Sequence, residues 1–253
     1  MRRFVCWSLV FVSGVLLQIG CLHSPPAGLT RGVVEIKNAR VREGAHPDQL
    51  ILWIKTLTGV VIGEHTILTV AHTFEDEPDP DHPITIDGRA LEYTIIADGW
   101  GGLRAEGALE DKLAYYEDDI QEDYVLLKTT EAFTDFACLV PLKFERRDEL
   151  RNLYLVTRRK DTGEVDVILA KGVMFVENLR YIIVDLPRRA REGFYLSGSP
   201  LIGTYEDGTL VLVGILKGSG DLSVKVDGKS RDLVDQFYIL PAYRIPFDLI
   251  AEP

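Results

Sequence analysis

Apolar positions in this chain come mainly in short runs, many alternating with polar ones, rich in Val, Ile and Thr. That two-residue period is the signature of strands with one face toward a core. The pattern predicts strands over Val33–Ile36, Leu50–Leu57, Gly59–Ile62, Ile67–Ala71, Ile84–Ile86, Leu91–Ala97 and Tyr124–Thr129. A charged stretch, Glu145–Leu150, then reads as a crossover. A second set follows at Leu153–Thr157, Val165–Val176, Tyr181–Asp185, Pro200–Thr204, Leu210–Leu216 and Phe237–Leu240. Turn signals separate them, such as Asp161-Thr162-Gly163, Glu206-Asp207-Gly208 and Asp227-Gly228. A short helix is expected only in the tail, Tyr243–Ile250. The pattern alone predicts an all-β protein, barrel or sandwich.

The first twenty residues break this pattern. Arg2 and Arg3 precede the apolar stretch Phe4–Leu17, and Gly20 stands before Cys21. This predicts a signal peptide over 1–20, too short and wrongly flanked for a stable spanning helix. Leu17-Gln18-Ile19-Gly20-Cys21 is similar to a bacterial lipobox, with Gln18 where Leu is usual. The similarity implies lipid modification of Cys21; ordinary signal cleavage and a retained anchor are the alternatives. Residues 21–31, with Pro25 and Pro26, read as a linker, and 32–253 as the folded part. The expected address is the bacterial cell envelope, with a lipid anchor in a membrane.

Composition narrows the classes. The 253 residues suffice for one large β domain or two small barrels. A net charge of −11 repels phosphate backbones, so nucleic acid is not an expected partner. Of three cysteines, Cys6 and Cys21 fall in the leader region, and Cys138 is expected as a small buried hydrophobe. No disulfide framework, zinc cluster or phosphate loop is legible, so no cofactor and no metal are expected. The acidic run Glu75–Asp81 lacks EF-hand spacing and reads as a solvated loop.

Three segments carry the chemistry. Leu68-Thr69-Val70-Ala71-His72 puts a His at the end of an apolar strand. Asp123-Tyr124-Val125-Leu126-Leu127 opens another strand with an Asp, and Ser197-Gly198-Ser199-Pro200-Leu201 places a Ser beside Gly in a turn. A Ser hydroxyl becomes a competent nucleophile when an imidazole takes its proton and a carboxylate orients that imidazole. Asp118, Asp119 and Glu122 compete with Asp123 in the sequence, but only Asp123 directly adjoins an apolar run. The α/β-hydrolase motif G-x-S-x-G is not matched, because Tyr195 holds its first position.

These segments resemble the trypsin-like (chymotrypsin-fold) serine peptidases of bacterial type. Gly59–Thr73 is similar to "G-x-v-I-s…v-L-T-A-A-H-C", Asp123–Lys128 to "D-I-A-L-L-K", and Ser197–Ile202 to "S-G-G-P-L". Val211–Gly220 is similar to the strand "v-v-G-I-v-S-w-G". The resemblance implies two six-stranded antiparallel β-barrels, about 32–144 and 151–250, with the site in the cleft between them. It implies a serine endopeptidase acting on a protein or peptide through an acyl-enzyme, with His72 as base, Asp123 as orienter and Ser197 as nucleophile. The backbone N–H groups of Tyr195 and Ser197 would form the oxyanion hole, and Arg191 would stand at the base of the primary pocket. Tyr195-Leu196 replaces the family's Gly-Asp, and Lys217 its Ser. The alternative is a degenerate module of the same fold that binds a peptide or partner without cleaving it.

Overall fold

The computed structural model describes residues 25–43, 50–72, 84–90, 94–98, 102–103, 123–129, 131–175, 181–187, 190, 192–226, 229–245 and 247. These form two curled antiparallel sheets, each a half-barrel, with almost no helix. The first sheet holds β1 (Val33–Glu43), β2 (Leu50–Gly63), β3 (Thr66–Thr69), β4 (Thr85–Ile86), β5 (Arg89–Ala90), β6 (Thr94–Asp98), β7 (Gly102–Leu103) and β8 (Val125–Lys128). Their spatial order is β5-β4-β1-β2-β3-β8-β6-β7. The second sheet holds β10 (Arg151–Arg159), β11 (Val165–Leu169), β12 (Gly172–Phe175), β13 (Ile182–Asp185), β15 (Pro200–Thr204), β16 (Leu210–Val226) and β17 (Lys229–Pro241). Its order is β11-β10-β15-β16-β17-β13-β12. Two short strands join this sheet from the side: β14 (Phe194–Tyr195) pairs with β10, and β9 (Val140–Pro141) runs parallel to β16.

The sequence pattern explains where strands are buried. β3 is buried at all four positions, and Val125, Leu126 and Leu127 of its neighbour β8 are buried as well. Such unbroken β-branched and aliphatic runs suit strands covered on both faces. β15 is likewise buried throughout: Leu201 joins the main core and Ile202 a smaller cluster with Leu29, Val33, Tyr154 and Val156. The main core is continuous from the first sheet (Ile36, Leu57, Leu68, Leu126) to the second (Leu155, Val184, Leu212, Ile239).

Several expectations shift in detail. Leu50–Leu57 and Gly59–Ile62 are one strand, β2, running past Gly59 in register with β1. Val165–Val176 divides into β11 and β12, because the N–H of Ala170 bonds to Leu153 while that of Lys171 bonds to Asp185, turning the chain. β16 continues to Val226 and pairs with β17 as a long hairpin. The tail forms a single 3-10 turn, Ala242–Arg244. Cys138 is exposed, not buried; its neighbour Ala137 takes the inward position, with its N–H bonded to the carbonyl of Arg31. Residues 1–24, including Cys6 and Cys21, the acidic run Glu75–Asp81, and Arg188, Arg189 and Arg191 lie outside the described residues. Among the described residues no helix is long and apolar enough to cross a membrane.

Candidate active site

His72 stands just past the end of β3, two residues beyond the buried Val70, and its side chain is partly exposed. Asp123 lies two residues before β8, the strand paired with β3. The pairing of Thr69 with Val125 therefore brings the two residues together across the strand ends. Asp123 is 2% exposed, and its carboxylate is fully engaged. Oδ1 accepts the backbone N–H groups of Ala71 (2.9 Å) and His72 (2.8 Å). Oδ2 lies 2.7 Å from Nδ1 of the His72 ring. Burial pushes the Asp123 pKa up, but the hydrogen bonds from His72 and the positive charges of His72 and Lys217 outweigh it, and the net shift is downward. An ionised carboxylate only accepts, so Nδ1 carries the shared proton and Nε2 is the nitrogen left to act as a base.

Ser197 occupies the turn between β14 and β15. Its carbonyl accepts the N–H of Thr58 on β2 (2.9 Å), which ties the turn of the second sheet to the first. The next residue, Gly198, has φ of +79°, and a Cβ there would stand 1.9 Å from the carbonyl oxygen of Thr58 and 2.3 Å from the Thr69 hydroxyl. Only glycine fits this conformation and this contact together. Thr69 lies three residues before His72, so the contact seats the Ser197 turn against the strand that carries the histidine. Among the described residues no hydrogen bond joins the Ser197 hydroxyl to the His72 ring; Ser197 instead lines an open cleft of about 390 Å³. Gly198→Ala should cost roughly 4 kcal/mol of stability, the range reserved for strain combined with a buried clash. Chemical denaturation measures it; a loss below 1 kcal/mol would show that the turn does not sit against β2 as described.

Tyr195, whose backbone the resemblance assigns to an oxyanion hole, is a strand residue opposite Arg158. Its carbonyl accepts the hydroxyls of Thr58 (2.7 Å) and Thr157 (2.9 Å), and the Ser199 hydroxyl oxygen lies 3.1 Å from it. All three hydroxyl residues are buried, and the Ser199 hydroxyl donates its one proton to Thr157 at 2.8 Å. Two residues earlier, the carbonyl of Gly193 accepts the N–H of Lys160. By the two-residue alternation of an antiparallel ladder, Tyr195 likewise turns its N–H and carbonyl toward β10. Delivering that N–H to a substrate oxyanion requires β14 to lift from β10. Leu196 packs onto the hydrophobic core.

Lys217, on β16, reaches the same carboxylate. Its Nζ lies 3.9 Å from Asp123 Oδ2 and donates to the hydroxyl of Tyr181 at 3.0 Å. Burial lowers the pKa of the ammonium, and the Asp123 charge counteracts part of that. Imidazole and ammonium thus share one oxygen. The sequence marked Lys217 as unusual; the hydroxyls of Thr58, Thr157 and Ser199 gave no sequence signal, because their convergence depends on contacts 137, 38 and 4 residues apart. Among the described residues no group of His, Cys, Asp and Glu could hold a metal ion.

No family model matches the chain, and no curated protein does. Among solved structures, the chain is similar to the Rv3671c protease from M. tuberculosis in its active form, at 13% identity and a TM-score of 0.50. That alignment covers 88% of this chain and 82% of the other. The fold is trypsin-like. An inactive form of the same mycobacterial protein, with one serine replaced by alanine, aligns over 92% of this chain and 99% of the other at 13% identity and a TM-score of 0.48. At this identity the likeness establishes the trypsin-like fold and leaves the chemistry to the residues themselves.

Proposed function

We propose that this protein is a serine endopeptidase that hydrolyses peptide bonds through an acyl-enzyme. Ser197 is the nucleophile, His72 the general base and Asp123 the residue that orients the imidazole. The observation that carries the reading is the 2.7 Å contact between His72 Nδ1 and a buried Asp123 whose other oxygen is held by two backbone N–H groups. Such a carboxylate fixes the ring tautomer and stabilises the imidazolium that forms when Ser197 gives up its proton. Nε2 would take that proton and later deliver it to the leaving amine. Ser197 lines the cleft where a peptide would have to lie. Hydrolysis of a quenched-fluorescence peptide mixture by the purified wild type, and its loss in Ser197→Ala, tests the assignment.

A second reading, a peptide- or partner-binding module without turnover, is favoured by two observations. Tyr195 is held in the ladder with β10, and the ammonium of Lys217 shares the oxygen of Asp123 that faces the imidazole. On this reading the peptide mixture binds and is not cut.

Export and lipid anchoring at Cys21 belong to the same proposal. They are supported by the Arg pair, the apolar run and the Gly20-Cys21 junction. A thiol is needed at the first mature position, so Cys21→Ser should abolish acylation while leaving the domain folded. Mass spectrometry of membrane-extracted protein reads the outcome; an unmodified N-terminal peptide in the wild type contradicts the anchor.

A further inference from the structure

The cleft beside Ser197 has apolar walls from Phe194, Leu216 and Phe237, and hydroxyls from Thr56 and Ser219. Its described lining contains no acidic residue and one basic residue, Lys160. Lys160 immediately follows β10, and its N–H is bonded to the carbonyl of Gly193 at 2.7 Å, next to the strand that leads into Ser197. The backbone of this residue is therefore fixed relative to the nucleophile turn, while its side chain is exposed.

The basic residues of the same strand are otherwise paired. Arg151 meets Glu206, Arg158 meets Asp87 at 3.0 Å, and Arg159 meets Asp161 at 3.1 Å. Among the described residues Lys160 makes no ion pair, although Asp161 and Glu164 are close to it in sequence. In a chain of net charge −11, a lysine that lines the nucleophile's cleft and makes no ion pair among the described residues is a local reversal of sign. Fixed charges at a cleft rim select ligands of opposite sign and reject like ones.

We propose that Lys160 recognises a carboxylate on the substrate, so that the peptides taken by this site carry an acidic side chain or a free C-terminal carboxylate close to the bond facing Ser197. The inference rests on the peptidase reading for the identity of the ligand as a peptide. A carboxylate accepts hydrogen bonds from the ammonium, and the hydroxyls of Thr56 and Ser219 are further donors in the same cleft.

The test uses the Ser197→Ala protein, so that binding is read without turnover, and one fluorescent peptide in three forms. The first has an internal Glu and an amidated end, the second a Gln and a free C-terminal carboxylate, the third a Gln and an amidated end. At low salt, one of the two carboxylate forms is expected to bind roughly fivefold tighter than the neutral form, the upper range for a partly solvated ion pair. Which form gains identifies the source of the carboxylate. Lys160→Met should make the three equal, and Lys160→Glu should reverse the order; both changes are at an exposed position and leave the core intact. Equal binding of all three by the protein carrying Lys160, or a preference that survives Lys160→Met, overturns the proposal. Turnover by the wild type is scored separately. Cleavage without carboxylate preference overturns the role of Lys160 alone, and preference without cleavage overturns the peptidase reading alone.

Discussion

Ser197→Ala is expected to lower kcat by about 10⁶-fold, the scale seen when the nucleophile of a triad is removed. The stability should stay within about 0.5 kcal/mol of wild type. Both expectations follow from the position of the side chain. The Ser197 hydroxyl makes no hydrogen bond among the described residues, so its removal leaves no buried partner unsatisfied. The turn itself is held by backbone contacts, Ser197 carbonyl to Thr58 and Gly198 N–H to Leu216 (2.8 Å), which alanine preserves. Steady-state kinetics on a peptide substrate together with denaturant titration separate the two effects. A variant that retains a tenth of wild-type turnover would remove Ser197 from the chemistry.

Asp123→Asn is expected to lower kcat by about 10⁴-fold, and the cause is the tautomer. Oδ1 accepts two backbone N–H groups, so an asparagine must turn its carbonyl oxygen toward them and its NH₂ toward the ring. Nδ1 then has to accept, the ring proton moves to Nε2, and Nε2 no longer has a free lone pair with which to act as a base. The same residue sets a pH dependence of stability. Its folded pKa lies below the ordinary aspartate value of 3.8, so the stabilisation is present above 3.8 and is lost as pH falls through the folded value. Wild type should therefore lose stability between pH 3.8 and its lower folded value in a way that Asp123→Asn does not. Parallel acid titrations of the two proteins would contradict the buried, charge-paired carboxylate.

Much of this was legible in the chain. The two-residue alternation placed most of the core strands, because strands with one or both faces buried leave their period in the side chains. His72, Asp123 and Ser197 stood out because each adjoins an apolar run, and the structure brings the first two into contact across paired strand ends. The hairpin of β16 and β17 was missed beyond Leu216. Lys217-Gly218-Ser219-Gly220 carries no apolar position, yet the backbone pairing runs on through Gly218, Ser219 and Gly220, with two register shifts, to Leu222, Val224 and Val226, which alternate with polar residues. β1 was likewise cut short at Ile36, because Lys37, Asn38 and Arg40 carry no apolar face to a reader of the sequence, although they pair with β2. Contacts between distant polar groups left no local trace at all. The Thr58 hydroxyl on the Tyr195 carbonyl and the approach of Lys217 to Asp123 depend on how the two sheets meet, while Thr157, Ser199 and Lys160 reach the site through strand pairing within the second sheet. Lys160 in particular begins the segment Lys160-Asp161-Thr162-Gly163, which in sequence is only a turn.

The central claim is that Ser197 is an activated nucleophile. A fluorophosphonate reacts with a serine only where a base takes the proton and the phosphoryl oxygen finds donors, so it asks for the whole constellation at once. The measurement is the intact mass of the purified protein after exposure to the probe, followed by mapping of the modified peptide. A single adduct on Ser197 is expected, absent in Ser197→Ala and strongly slowed in Asp123→Asn. An unmodified wild-type protein, or an adduct that persists in Ser197→Ala, would contradict it.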